Sequence, residues 1–136
     1  MFASMATLFT YRDLDVWKQG MALTELCYRA TQTFPDGERY GLISQMRRAA
    51  ASIPSNIAEG HCRRTTKAFA NHVSIALGSH GELSTCVELS ARLGFLRPAD
   101  LEPLLSSSNS VGRLLYGLYQ ALERKLASAN ATGPNL

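Results

Sequence analysis

Apolar residues recur along this chain at intervals of three and four, and no stretch alternates in steps of two over a strand's length. Four helices follow from that pattern. The first starts near Asp13, a residue able to cap exposed amides, and runs to about Thr33 before Phe34-Pro35 interrupts it. Its stripe is Leu14, Trp17, Met21, Thr24 and Tyr28. The second starts near Asp36 or Glu38, carries Ile43, Met46, Ala50, Ile53 and Ile57 on one face, and ends close to Gly60. The third begins at Thr65 or Thr66 and continues to Gly94, with Phe69, Val73, Ala76, Leu83 and Val87 as its stripe. The fourth opens at Pro98, with Asp100 and Glu102 matching the positive end of the helix dipole.

Short connections favour antiparallel neighbours, and heptad-like spacings favour crossing angles of about 20 degrees. The expected architecture is all-α, an antiparallel up-down-up-down four-helix bundle over residues 11–126. Residues 1–10 form an N-terminal extension, and residues 127–136, which lose the periodicity and contain Asn130, Gly133 and Pro134, form a flexible tail.

The second helix carries Pro54 inside its pattern, yet the apolar face passes straight through it. A bend with continuation is expected, because proline cannot donate to the carbonyl of Ala50. Ser52, Ser55 and Asn56 are close enough to supply substitute partners. Asn56 and Glu59 sit one turn apart beyond the bend, and Glu59 reaches toward Arg63 if helicity persists. Pro54, Asn56, Glu59 and Gly60 are therefore read as structural.

Gly78, Ser79, Gly81 and Ser84 cluster in the third helix, costing intrinsic helicity while admitting a neighbouring backbone. In the fourth, Leu101, Leu104, Ser108, Val111, Leu115, Leu118 and Leu122 run unbroken, and Leu105, Gly112, Tyr119 and Leu126 repeat every seven residues beside them. That face is wider than a simple seam requires, so the flanking set is the expected contact with another subunit.

Length and charge narrow the function. One domain fits 136 residues. The first ten residues carry no Lys or Arg, and no apolar run approaches the roughly 20 residues that cross a bilayer, so a cytoplasmic protein without membrane contact is expected. Three cysteines without paired spacing fit free thiols. The net charge of +3 is unevenly placed: residues 39–67 hold six cations against Glu59, a net +5, and the remainder is −2. Arg47, Arg48, Arg63, Arg64 and Lys67 are the candidate phosphate contacts. Few aromatics interleave with them, Tyr40 lying at one end and Phe69 facing the core, so recognition of RNA shape and backbone is favoured over base stacking.

An enzyme would need convergent nucleophiles, bases or ligands. His61, His72 and His80 have no carboxylate at metal-binding spacing, and His61-Cys62, adjacent on a helix, point about 100 degrees apart. His80 reads as a half-buried histidine hydrogen-bonded across the bundle. Ser106-Ser107-Ser108 has no partnering base in the sequence, and no strand precedes a glycine-rich phosphate loop. No metal, cofactor or catalytic residue is expected.

Three blocks in order, Tyr11-Arg12-Asp13-Leu14 with Val16-Trp17, then Arg47 to Gly60, then Ile75-Ala76-x-Gly78-Ser79-x-x-Glu82-Leu83, resemble the family of large-subunit rRNA intervening-sequence proteins, over roughly residues 11 to 125. Asn71-His72 and His80-Gly81 depart from its pattern. The resemblance implies a four-helix bundle, a homo-oligomeric ring that is a pentamer, no catalytic site, and a link to RNA. It also implies a distant similarity to accessory proteins of retroelement reverse transcriptases. Two readings follow: a non-catalytic oligomer that binds structured RNA or an RNA-bearing complex through its basic surface, or a protein assembly module in which the faces of helices 3 and 4 do the recognition.

Overall fold

The computed structural model describes residues 9–131, in which four helices follow one another: α1 (Asp15–Thr31), α2 (Ser44–Cys62), α3 (Thr66–Arg92) and α4 (Pro98–Ala131). There is no strand among the described residues. α1 packs on α2 and α4, and α3 packs on the same two helices, so the four close a cycle around one core. Leu23, Cys27, Met46, Ile53, Ile57, Val73, Leu83, Val87, Leu104, Val111 and Leu115 fill it. The stripes expected on helices 2 and 4 are those that point inward, and Val73, Ala76, Leu83 and Val87 do so on α3. Phe34, Phe95 and Leu96 cover one end, the two rings 5.9 Å apart.

Helix 1 differs from its expected face. Val16, Gly20, Leu23, Cys27 and Ala30 are buried, whereas Met21 and Tyr28 are exposed and Trp17 packs at the edge. Both series keep 3-4 spacing. The smaller residues win because α1 lies close to α2: a Cβ added at Gly20 would stand 3.5 Å from Ile53 and from the Pro54 ring. The larger aromatics are left to flank that contact.

The starts also move. Thr10, not Asp13, caps the N-terminal turn Tyr11–Asp13, accepting from the Arg12 amide while Asp13 accepts from the Thr10 amide. Leu14 is extended, so α1 begins only at Asp15. Before α2, a one-turn segment Asp36–Glu38 and a wide turn Arg39–Ile43 replace the expected helical start. Gly41 takes φ −107° and ψ −114°, which breaks the helix, and the Glu38 carboxylate accepts the Leu42 amide at 3.2 Å. At the other end α4 stays helical through Ala131, past the expected boundary at residue 126. Residues 1–8 of the extension and 132–136 of the tail lie outside the described residues.

Pro54 is buried inside a continuous α2. The Ala50 carbonyl that it deprives of a donor is met from another helix: the Thr24 hydroxyl of α1 stands 3.1 Å away while also reaching its own Gly20 carbonyl at 2.8 Å. The expected rescue by Ser52, Ser55 or Asn56 is not the one used. Asn56 turns to the Ser52 carbonyl and hydroxyl instead.

Candidate nucleic-acid interface

The five candidate cations do not form one patch. Arg47 is spent within the fold. Its Nε donates to the Thr31 hydroxyl at 2.9 Å and its guanidinium to the Tyr28 carbonyl at 3.2 Å, and it lies 4.6 Å over the Tyr28 ring. It closes the end of α1 rather than facing a phosphate. Arg48 is exposed beside Gln45, Ser52, Ser79 and Glu82, in a shallow groove that already holds a carboxylate. Sixteen residues of helix, about 24 Å at 1.5 Å each, separate Arg47 from Arg63.

At the α2–α3 turn the picture changes. Arg63, Arg64 and Lys67 are all exposed there. Arg63 pairs with Glu59 at 3.5 Å, an exposed pair that contributes about 0 to 1 kcal/mol. Arg64 ends the helix with φ +67°, the left-handed conformation that favours glycine and costs an ordinary residue about 1 to 2 kcal/mol. Thr65 then caps α3, accepting the Ala68 amide at 3.1 Å.

Gly60 is therefore not the residue that ends the helix. It lies buried within α2, and a Cβ there would fall 2.6 Å from the His72 Cβ and 3.1 Å from the Phe69 ring. It lets α3 approach. Around that crossing runs a polar chain along the α2–α3 seam. Asn56 Nδ2 donates to the Ser52 carbonyl at 2.9 Å, which fixes the amide so that Oδ1 faces His72 Nδ1 at 3.0 Å. His72 must then carry its proton on Nδ1, with the Glu59 carboxylate also 3.5 Å from that nitrogen. Ser52 accepts from Asn56 at 3.0 Å and sits 2.8 Å from the Ser79 hydroxyl. The histidine at the departure Asn71-His72 is thus the cross-helix partner of Asn56 and Glu59, a pairing invisible to spacing alone.

The set expected at a subunit contact divides. Gly112 faces inward, where a Cβ would stand 2.7 Å from the His80 ring. Tyr119 and Leu126 pack on the core edge and line an open groove of about 560 Å³ between α3 and α4, with Lys67, Asn71, Ser74 and Glu123. Leu105 remains exposed. On α3 the expected close approach at Gly78 and Gly81 does not occur among the described residues, since nothing there lies within 4 Å of a Cβ built at either.

His80 spans α3 and α4 as expected, its Nε2 2.8 Å from the Ser108 carbonyl. The Ser108 hydroxyl is 3.2 Å away, so Ser108 does have a neighbouring imidazole. That nitrogen holds its proton against the carbonyl and offers no lone pair to the buried hydroxyl. Burial raises the Cys27 thiol to about 12, with Arg47 pulling it down less strongly, and burial likewise raises Cys86. Both thiols are held protonated, and Cys62 is exposed. No three His, Cys, Asp or Glu side chains gather as metal ligands among the described residues. No described helix is long and apolar enough to cross a membrane.

Two contributors were missed by sequence reasoning. A second cleft at the α2–α3 turn, about 290 Å³, is lined by Phe9, His61, Arg64, Thr66, Phe69 and Lys125 among others. Phe9 arrives from before α1 and Lys125 from late in α4; only the packing of four helices brings them to Arg64.

The chain matches the family described as 23S rRNA-intervening sequence protein over residues 12–117. Its fold is similar to the crystal structure of a protein of unknown function from the S23 ribosomal protein family of Bacteroides thetaiotaomicron. The TM-score is 0.69 and the identity 20%, over 77% of this chain and 95% of that one. No curated protein matches the sequence.

Proposed function

We propose a function from one premise: the chain belongs to the 23S rRNA-intervening sequence protein family. It is a non-catalytic, oligomeric up-down-up-down four-helix bundle that binds structured RNA, or a complex carrying it, through the exposed cations of the α2–α3 turn. The up-down sense is supported by contacts that run in opposite chain order: Met46 with Ser90, Ser52 with Ser79, and Asn56 with His72. The observation that carries the RNA reading is the grouping of exposed Arg63, Arg64 and Lys67 at one end of the molecule with Lys125 of α4 alongside. Among the described residues neither Arg64 nor Lys125 forms an ion pair, so their charge is available to phosphate.

Assembly enters through α3. Ile75, Gly78, Glu82, Leu89 and Leu93 share its outer face at helical spacing, three of them exposed apolar side chains. That face, with Leu105 and Tyr116 of α4, is the subunit contact of a cytoplasmic homo-oligomeric ring, a pentamer in our reading. A ring repeats a modest cationic patch in every subunit and raises affinity without any new contact. No reaction is assigned, because His72 and His80 are engaged in the seams and the buried thiols are held neutral.

The test is the triple variant Arg63→Gln, Arg64→Gln, Lys67→Gln. RNA affinity is expected to fall, and the slope of log K against log salt to flatten by about 3, one unit per lost phosphate contact. Unchanged affinity in a folded triple variant would remove this surface from the function.

A further inference from the structure

The cleft that joins the amino-terminal segment to the α2–α3 turn differs from the other grooves of the molecule in its chemistry. The groove at Arg48 contains Glu82, and the larger groove between α3 and α4 contains Glu123. The groove beside Trp17 and Pro54 has no charged side chain, whereas this one has cations and no carboxylate. Its charged side chains are Arg64 and Lys125, brought from two helices, and its walls are aromatic. Phe9 is 66% exposed and its ring centroid lies 5.7 Å from that of His61, tilted by 54°. His61 in turn stands edge-on to Phe69 at 5.7 Å and 86°, so the half-buried Phe69 braces the imidazole that braces Phe9.

An exposed phenyl ring braced by a tilted imidazole beside two cations without an ion pair among the described residues is the combination that a flipped-out nucleotide uses: a flat apolar surface for the base and mobile positive charge for its phosphates. The volume, about 290 Å³, sits at the lower edge of the roughly 300–1,000 Å³ typical of small-ligand pockets, which suits one base and excludes a duplex. Arg64 adds a second kind of observation. It keeps an arginine in a left-handed conformation that glycine or asparagine would adopt at less cost, and strain of this kind persists where a side chain is needed.

We infer that this cleft captures one unpaired nucleotide of the bound RNA, its base stacked on Phe9 and its flanking phosphates held by Arg64 and Lys125. The inference rests on the RNA-binding reading above and sharpens it, since that reading needs only backbone and shape. Phe9 is the discriminating residue: it carries no charge and contributes nothing to a purely phosphate-directed surface.

The experiment compares two fluorescein-labelled RNA hairpins, identical except that one carries a single-nucleotide bulge, by fluorescence anisotropy with the full chain. The bulged hairpin is expected to bind about tenfold more tightly, the scale of one stacked base. Phe9→Ala should abolish that preference without changing affinity for the paired hairpin, and Phe9→Trp should restore it. Because Phe9 is exposed, the alanine variant should keep its thermal melting temperature, which circular dichroism checks. Lys125→Gln should weaken both hairpins and flatten the salt slope by about 1. Equal affinity of the wild type for the two hairpins, with the Arg63, Arg64 and Lys67 triple variant still weakened, would overturn the nucleotide cleft and leave the RNA reading standing. Binding of neither hairpin would overturn both.

Discussion

The inner and outer faces of α3 meet glycine in opposite ways. Toward α2 and α4 its residues are fully engaged: Gly60 and Gly112 of the neighbouring helices receive His72 and His80, and Asn56, Ser52, Ser79 and Glu59 complete a continuous polar seam. On the outside Gly78 and Gly81 meet nothing within 4 Å, and Ile75, Leu89 and Leu93 stand exposed. A glycine in a helix therefore has no fixed meaning. On the inner side it marks a neighbour whose backbone has come too close for a methyl group; on the outer side it marks a surface with nothing yet against it.

That contrast can be broken by substitution. Gly60→Ala should have the largest effect, because the added carbon collides with His72 Cβ, which is fixed to the backbone and cannot rotate away. A loss of about 1 to 3 kcal/mol is expected, the usual cost of overpacking, and urea denaturation measures it. A variant as stable as the wild type would mean that α2 and α3 are not in such close contact. Asn56→Ala comes next, at about 1 to 2 kcal/mol, since it leaves His72 Nδ1 with only the more distant Glu59 and strands the Ser52 end of the seam. The same denaturation series reads it, and an Asn56→Ala loss that disappears in a His72→Ala background would confirm that the two act as a pair.

Gly78→Ala is the mirror experiment and the smallest effect. At concentrations low enough to dissociate any assembly it should stabilise the chain by about 0.5 to 1 kcal/mol, the ordinary preference for alanine in a helix. At high concentration the same methyl group lies in the proposed subunit contact, so mass from light scattering should fall. A gain in stability with no change of mass would place the ring contact elsewhere.

The places where expectation and structure part company share one cause. Periodicity located helices 2, 3 and 4 and their inward faces well, because burying an apolar stripe is a requirement that each helix states for itself. It turned helix 1 too far, taking the stripe of Met21 and Tyr28 over that of Gly20 and Cys27, since both keep 3-4 spacing and only the closeness of α2 selects the smaller residues. Spacing likewise grouped Gly112 with Leu105, though one faces His80 and the other water. The basic cluster was legible as a count of charges, but its division was not: Arg47 is absorbed by Tyr28 and Thr31, residues that belong to a different helix.

What this sequence determined by itself is the number of helices, most of their ends though not the start of α2, most of their buried faces and the excess of positive charge in the middle of the chain. These are local properties, set by the 3.6-residue period and by residue type. Only the tertiary structure decided that Thr24 answers the carbonyl left open by Pro54, that Asn56 faces His72, and that Phe9, Arg64 and Lys125 share a cleft. Those pairings join residues 16 to 116 positions apart, and nothing in a helical period specifies which residue of one helix will face which residue of another. The pairing is set when side chains of four helices must fill one volume and leave no buried polar group without a partner.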